Sequence, residues 1–478
     1  MFVGELTMKK FNLKTANTFM LRSSKILAVL EHNGIKVHTK RLRKSMKRIK
    51  TDIVERTDKL KKSKVWKRWR NKYGVNANLN SGTQLGDVFY NVMGNTGKRT
   101  ATGIYKTDEE SLRKLDHPFI REYLQIKKLE KCHSTYLSGI QRELDENGIL
   151  HPNYNSHLAI SYRTSSDDPN FQNLPIRNPE IGRIIRRLFI SRFKGGYLVD
   201  RDYSGIEVAI ALCYHQDPVM RKYLEDGYDF HKETAAQLYM LPIDKVTKNI
   251  RYGAKNKFVF PQFYGSYYVD CAINLWEWIF EADLKLDDGT PLIKHLKKKG
   301  IVELGDCAEG KSPRPGTFEA HVKSIEDDFW NRRFKVYTDW KKKVWNEYLQ
   351  TGYVKYLNGF VAEAALKRNQ VLNIGTQGVA AHCMIWSLNE IQKEIDKQKM
   401  KTVLIGQIHD SGLSDSPKEE LQDFLQMSEE IVINKLKKTF PFINVPIKTE
   451  VEVSNKTWFD KKEWTPNKKG IWSLKEEK

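Results

Sequence analysis

Two short apolar runs that each lead to an aspartate, YLVDRDYSG at residues 197–205 and TVLIGQIHDSG at residues 402–412, put the tightest limits on how this chain folds. In the first, Tyr197 to Val199 reads as a strand running into Asp202, and Ile206, Ile210 and Leu212 then follow at helical spacing. In the second, apolar runs flank Gln407-Ile408-His409-Asp410-Ser411-Gly412, the pattern of a β-hairpin whose turn displays a carboxylate. Each aspartate alone has a bland reading, a helix N-cap for Asp202 and turn chemistry for Asp410. Together they are carboxylates from positions 208 apart (410 − 202) that a fold can bring side by side, as a two-metal phosphoryl-transfer site requires.

Lys and Arg outnumber Asp and Glu by 81 to 59, a formal net charge of +22 over 478 residues. Such a field favours polyanionic partners, nucleic acid first, although lysine-rich surfaces also serve solubility. The length predicts two to four domains or subdomains. Residues 15–32 read as an amphipathic helix ended by Gly34. Residues 40–72 read as a second long helix with sixteen bases against three acids, its packing face formed by Leu42, Met46, Ile49, Ile53 and Leu60. A turn-rich stretch at 76–103 holds the short apolar helix LGDVFYNVM and a loop with Lys98 and Arg99 able to grip phosphates. Residues 280–320 read as an insertion or mobile loop, and KKEWTPNKKGIWSLKEEK as a basic, partly ordered tail. The five cysteines are scattered without a CxxC, so neither a disulfide framework nor a zinc site is expected. No run approaches the roughly eighteen apolar residues of a membrane span, so a soluble, cytoplasmic chain without a membrane partner is expected.

Two further segments carry chemistry. In RYGAKNKFVFPQFYGSYY, Arg251 and Lys255 sit at i and i+4 on one helix face, where they can hold triphosphate oxygens or simply snorkel. A suitably tuned Lys255 can also protonate a leaving group. In YRTSSDDPNFQNLPIRNPEIGRIIRRLF, amide and guanidinium groups are interleaved with turn formers, suiting minor-groove and backbone contacts.

These four segments, in this order, resemble the family A (polymerase I-type) DNA polymerases over almost the whole chain. DYSGIE is similar to that family's motif A, which implies Asp202 as first metal ligand and Glu207 as the side chain crowding a ribose 2′-hydroxyl. RYGAK with FYG resembles motif B, implying Arg251 and Lys255 at the triphosphate and Tyr264 at the template side. QIHDS resembles motif C, implying Asp410 as second metal ligand, with His409 and Gln407 near the primer terminus and minor groove. RTSSDDPNFQNLPIR resembles the long palm signature and brings Arg163, Gln172, Asn173 and Arg177 to DNA. GYDFHKETAAQLY implies His231 beside the nucleotide, NIGTQGVAAH implies Gln377 at the template, and INVPIKTEVEV resembles the last palm strand. TGKRT, with Lys98 and Arg99, and LEKCHSTYL resemble thumb segments, the latter with His133 where a Lys is usual.

The likeness implies an α+β right-hand polymerase fold with an antiparallel-sheet palm, helical fingers and a helical thumb. Its expected divisions are 1–35 for the start of the palm, 36–145 for the thumb, 146–212 for palm with motif A, 213–385 for fingers, and 386–478 for palm with motif C and the tail. It implies primer extension with dNTPs on primer-template DNA, two Mg²⁺ ions with Mn²⁺ as a substitute, and separately encoded exonuclease, helicase or processivity partners. A phage or viral source and no proofreading domain in this chain are expected on the same ground. Asp108-Glu109-Glu110 has the D-x-E spacing of an excision site but no evident partner acids.

Two departures from the family stand out. Ser411 occupies the place of a usual Glu after the motif C aspartate, and nine steps rather than eight separate Lys255 from Tyr264, with Pro261 between them. A bulge or kink at Pro261 would absorb the extra residue. Counting back from Tyr264 puts Phe260 on the incoming nucleotide, whereas counting forward from Lys255 puts Val259 there. Two rivals stay open: a single-subunit RNA polymerase, which Glu207 argues against, and a non-catalytic DNA-binding protein on a decayed polymerase.

Overall fold

The computed structural model describes residues 13–175 and 179–476, so Arg177 lies outside the described residues. A six-stranded antiparallel sheet organises the structure: β1 Tyr197–Tyr203, β2 Val403–Ile408, β3 Ser411–Ser416, β4 Thr449–Ser454, β5 Lys462–Pro466 and β6 Trp472–Leu474, in the spatial order β6-β5-β4-β1-β3-β2. β1 is bonded on both edges and covered on both faces. Successive residues Leu198 and Val199 are both buried but in different hydrophobic clusters, as the two-residue period of a strand demands.

Beneath the face that carries Val199, Arg201 and Tyr203 lies the 31-residue helix Arg368–Gln398. The Tyr203 hydroxyl donates to the Val432 carbonyl at 3.0 Å and shares a 2.9 Å bond with Ser387 of that helix. A Cβ at Gly412, opposite Arg201, would stand 2.8 Å from Leu388, so glycine there lets helix and hairpin close up. The expected boundary between residues 385 and 386 falls within this one helix.

A helical lobe has its own core. The single helix expected over 40–72 is two, Thr39–Lys61 and Lys64–Tyr73, because Ser63 leaves the helix and its hydroxyl accepts from the Trp66 amide at 3.2 Å, capping the second. Trp69, 0 % exposed, packs with Leu85, Phe89 and Phe119, and its indole donates to Gln84 at 2.8 Å. The basic face of Thr39–Lys61 stays outward, while Leu42, Ile49 and Leu60 are buried.

Two expectations are corrected. The 280–320 stretch is not a loose loop: Leu284, Leu292, Leu296 and Ile301 are buried in the main core, and the Glu319 carboxylate accepts from the Cys307 amide at 2.8 Å. Apolar residues set singly among turn formers hid that packing. The C-terminal segment is not a tail but the edge of the sheet, where β5 pairs β4 and β6 pairs β5. Gln422 fixes the Trp472 backbone by bonds of 2.9 Å to both its N–H and its C=O. Among the described residues no helix is long and apolar enough to cross a membrane.

Candidate active site

The β2–β3 hairpin closes with Ile408 opposite Ser411, leaving His409 and Asp410 as a two-residue turn with His409 in the left-handed region at φ 55°. The Asp410 carbonyl accepts from the Tyr203 amide at 3.2 Å, which sets the turn beside the end of β1. Asp202 faces Ser411 on one side and Glu450 of β4 on the other. Asp202 Oδ1 is buried and accepts no hydrogen bond.

Burial pushes the Asp202 carboxyl up to about 8, reinforced by repulsion from Asp410, Asp200 and Glu450 and opposed by Lys461. Asp410 is also raised, first by burial and then by Glu207, with its own amide opposing. Two neighbouring carboxylates that resist ionising, one with an orphaned oxygen, are the surroundings that a divalent cation would relieve. Asp200, two residues back on the same strand face, is by contrast occupied: its oxygens accept from Ser411 Oγ at 2.5 Å, Trp458 Nε1 at 3.1 Å and the Lys461 ammonium.

Beside the pair opens a cavity of about 270 Å³, lined by Asp202, Glu207, Phe260, Tyr264, Gln377 and Asp410 among others. The helix that walls it runs Lys248–Ala254, loosens to a π-turn over Lys255–Val259, and resumes at Phe260–Phe263. The π-turn is the bulge that takes up the ninth step, and it lets Pro261 sit in the first turn of the resumed helix, where its missing N–H costs least. Val259 is fully buried in the core, and Phe260 is the one of the two that lines the cavity. The Tyr264 hydroxyl donates to Glu207 at 2.7 Å, and Arg163 lies 3.7 Å from the other Glu207 oxygen.

Farther along the same helix, Arg251 is bonded to Asp229 at 2.6 Å, and the Lys255 ammonium stands 5.1 Å from the Phe260 ring centre. His231 packs edge-on to Phe260 at 5.7 Å. Burial, with Lys255 and Arg251 nearby, lowers its imidazole to about 4, so it is neutral near pH 7, with Nδ1 buried and unpartnered.

The residues expected at DNA divide. Asn173 is exposed, Gln377 lines the cavity, and His409 sits at the hairpin turn with its imidazole lowered by burial and by Arg163. Gln172 and Gln407 differ from expectation: they are 8 % and 0 % exposed and hydrogen-bond each other at 2.8 Å, with Thr164 Oγ1 bonded to both. Two buried amides satisfy one another more cheaply than either could alone, so this pair braces the hairpin from within. Lys98 and Arg99 are exposed in the helical lobe, with Arg99 stacked over Tyr105 at 3.9 Å, and His133 lies in a π-turn of the same lobe. Asp108 caps the helix Glu109–Arg113, and Glu109 and Glu110 pair with Arg113 and Lys114, which accounts for the D-x-E spacing structurally. Sequence reasoning passed over Trp458 and Lys461, whose only signal is a Trp and a Lys in a polar C-terminal stretch.

The model of the family described as DNA polymerase family A matches residues 40–275. The DNA polymerase of Bacillus phage SP01 is 26% identical over 422 residues, taking in 84% of this chain and 42% of that protein. DNA polymerase I of Bacillus subtilis (strain 168) is 26% identical over 444 residues, 91% of this chain and 45% of that protein. The chain thus spans less than half the length of these curated relatives. The POL domain of Pol1 from M. smegmatis, solved in complex with DNA primer-template and dNTP, matches with a TM-score of 0.70 at 22% identity, covering 92% of this chain and 70% of that one. The likeness gives the chain the α+β fold of a polymerase domain. With the matched family model and a pair of aspartates converging on a cavity beside a basic helix, residues 40–275 carry the pattern of DNA polymerase family A.

Proposed function

We propose that this chain extends the 3′ end of a DNA primer with dNTPs, directed by a template strand, and releases pyrophosphate. The observation that carries the reading is the meeting of Asp202 and Asp410 at the mouth of a cavity walled by Phe260 and Tyr264. In this reading the sheet is the palm, the lobe built on Trp69 is the thumb, and the helices around Phe260 are the fingers.

Asp202 and Asp410 would hold divalent ions, Mg²⁺ or Mn²⁺; when bound, these supply activation of the primer 3′-hydroxyl and neutralisation of the departing pyrophosphate. Every other role falls to side chains of the chain itself. Arg251, released from Asp229, and Lys255 grip the triphosphate, and Lys255 hands a proton to the leaving group. Phe260 stacks on the incoming base, neutral His231 stands at its side, and Glu207 occupies the space a ribose 2′-hydroxyl would need. Tyr264 and Gln377 meet the template side, with Arg163 and Asn173 along the duplex. The exposed cations of Thr39–Lys61, with Lys98 and Arg99, track phosphates without reading sequence. Rate enhancement in such a site comes mainly from positioning and fixed charge.

Extension of a labelled primer-template with Mg²⁺, run in parallel with deoxynucleotides and ribonucleotides, tests the reading. Extension with deoxynucleotides alone is expected; no extension, or equal use of ribonucleotides, overturns it. A mismatched primer end in the same assay reports on excision.

A further inference from the structure

We infer that Asp200 and Lys461 form a charge-balanced positioning pair that sets how tightly the Asp202–Asp410 site holds its divalent cation. The inference rests on the metal-dependent reading above and concerns residues that touch neither nucleotide nor DNA.

Asp200 shares a strand face with Asp202, two residues away on β1, and both of its oxygens are engaged in hydrogen bonds. Oδ1 accepts from Ser411 Oγ at 2.5 Å, and Oδ2 accepts from Trp458 Nε1 at 3.1 Å and from Lys461. Lys461 also binds Glu452, the residue directly opposite Asp200 on β4. Two acids face to face across a ladder repel, and Lys461 is the cation that lets them coexist. The group is held firmly: the Trp458 ring is sandwiched in a cluster with Phe171 stacked at 5.4 Å and the Arg186 guanidinium 4.1 Å from its centre.

Position and burial give this pair reach. The side chains of Asp200 and Lys461 are 9 % and 18 % exposed, so their charges are poorly screened toward neighbours. Ser411, which Asp200 holds, directly follows Asp410, so the carboxylate also fixes the start of β3 where the second aspartate turns. A cation bound by Asp202 would lie one strand repeat from both charges: Asp200 attracts it, and Lys461, held on Asp200, repels it.

Binding of Mn²⁺ alone to the full chain, followed by electron paramagnetic resonance without DNA or nucleotide, separates this from a purely structural role. Asp200→Asn is expected to weaken Mn²⁺ binding about threefold to tenfold, and Lys461→Met to tighten it by a similar factor, the scale of one partly screened charge. Asp200→Asn/Lys461→Met should return to within about twofold of the native chain, because the two charges leave together. Lys461→Arg should keep native binding. Single variants that shift in the same direction, or not at all, overturn the inference. Should Lys461→Met fail to fold, the comparison of Asp200→Asn with the double variant decides: weaker binding by the single variant supports the pair, and equal binding overturns it. Asp202→Asn identifies the level of any failure. If it leaves Mn²⁺ binding unchanged, the two-aspartate reading falls; if it abolishes binding while the pair has no effect, only the inference falls.

Discussion

Tyr264 donates its hydroxyl to Glu207 across 2.7 Å, joining the residue that follows the helix Phe260–Phe263 to the first turn of the helix after Asp202. The bond holds the Glu207 carboxylate over the cavity, with Arg163 on its other oxygen. Glu207→Ala should raise the ratio of ribonucleotide to deoxynucleotide incorporation by about tenfold or more, because the excluded volume is gone. Tyr264→Phe should move the ratio the same way by a smaller factor, through a less constrained Glu207. Competitive single-nucleotide incorporation measures both, and an unchanged ratio in Glu207→Ala would remove the sugar gate from the scheme.

Asp202→Asn and Asp410→Asn should each lower extension by at least about a thousandfold while primer-template affinity stays within about twofold. The affinity arises from exposed cations such as those of Thr39–Lys61, which neither substitution touches. Single-turnover extension beside a fluorescence-anisotropy titration checks the split, and near-native synthesis by either variant defeats the site assignment.

Arg251→Ala should raise the KM for dNTP by about tenfold to a hundredfold with a smaller effect on kcat, as loss of a charge-assisted grip on the triphosphate predicts. Since the bond of Arg251 to Asp229 at 2.6 Å competes with a grip on the triphosphate, Asp229→Asn should lower the KM instead. Steady-state kinetics on both variants gives the comparison, and a shift of the same sign in both contradicts the exchange of partners.

Lys341 gives a pH signature. Burial, and then Arg368, lower its ammonium from its ordinary value to about 7, although it lies 3.1 Å from the Trp330 ring centre. Its folded-state value is below the unfolded value of 10.5, so between those limits the unfolded chain holds a proton that the folded chain has lost. This group's contribution therefore rises with pH from about 7 toward 10.5. Lys341→Met should be more stable than the native chain at about pH 6.5, with the advantage shrinking by about pH 9.5. Thermal melts at the two values decide, and a constant difference excludes the buried ammonium as the cause.

Trp69→Ala should cost about 3–5 kcal/mol, for it removes the largest fully buried side chain of the helical lobe together with the hydrogen bond it donates to Gln84. Urea denaturation should show the loss, and a cost below about 1 kcal/mol would mean that the lobe repacks without it.

The aspartate pair was legible because strand, turn and helix each carry a local pattern, and Asp202 and Asp410 sit at their junctions. Partnership was not. Nothing in the residues around 172 and 407 announces that two amides 235 positions apart satisfy each other. Nor does the neighbourhood of 461 announce that its lysine neutralises Asp200. Short edge strands such as Lys462–Pro466 and Trp472–Leu474 hold too few residues for alternation to stand out, so they passed for a tail. The π-turn before Phe260 was legible as a surplus residue, but only the burial of Val259 chooses between the two registers.

The position of β1 in the sheet has a consequence for synthesis. Its hydrogen-bonding neighbours, β3 and β4, begin at Ser411 and Thr449, more than two hundred residues after β1 leaves the ribosome. At about 5–20 residues per second, roughly 10–40 s pass before the strand that carries Asp202 can be flanked at all. The lobe around Trp69, whose contacts are nearer in sequence, has every partner it needs long before then. The nascent chain must therefore keep one unpaired strand from pairing wrongly throughout that interval. The buried Asp200 and Arg201, charged residues in the middle of that strand, discourage such pairing until Lys461 and Glu429 arrive to neutralise them.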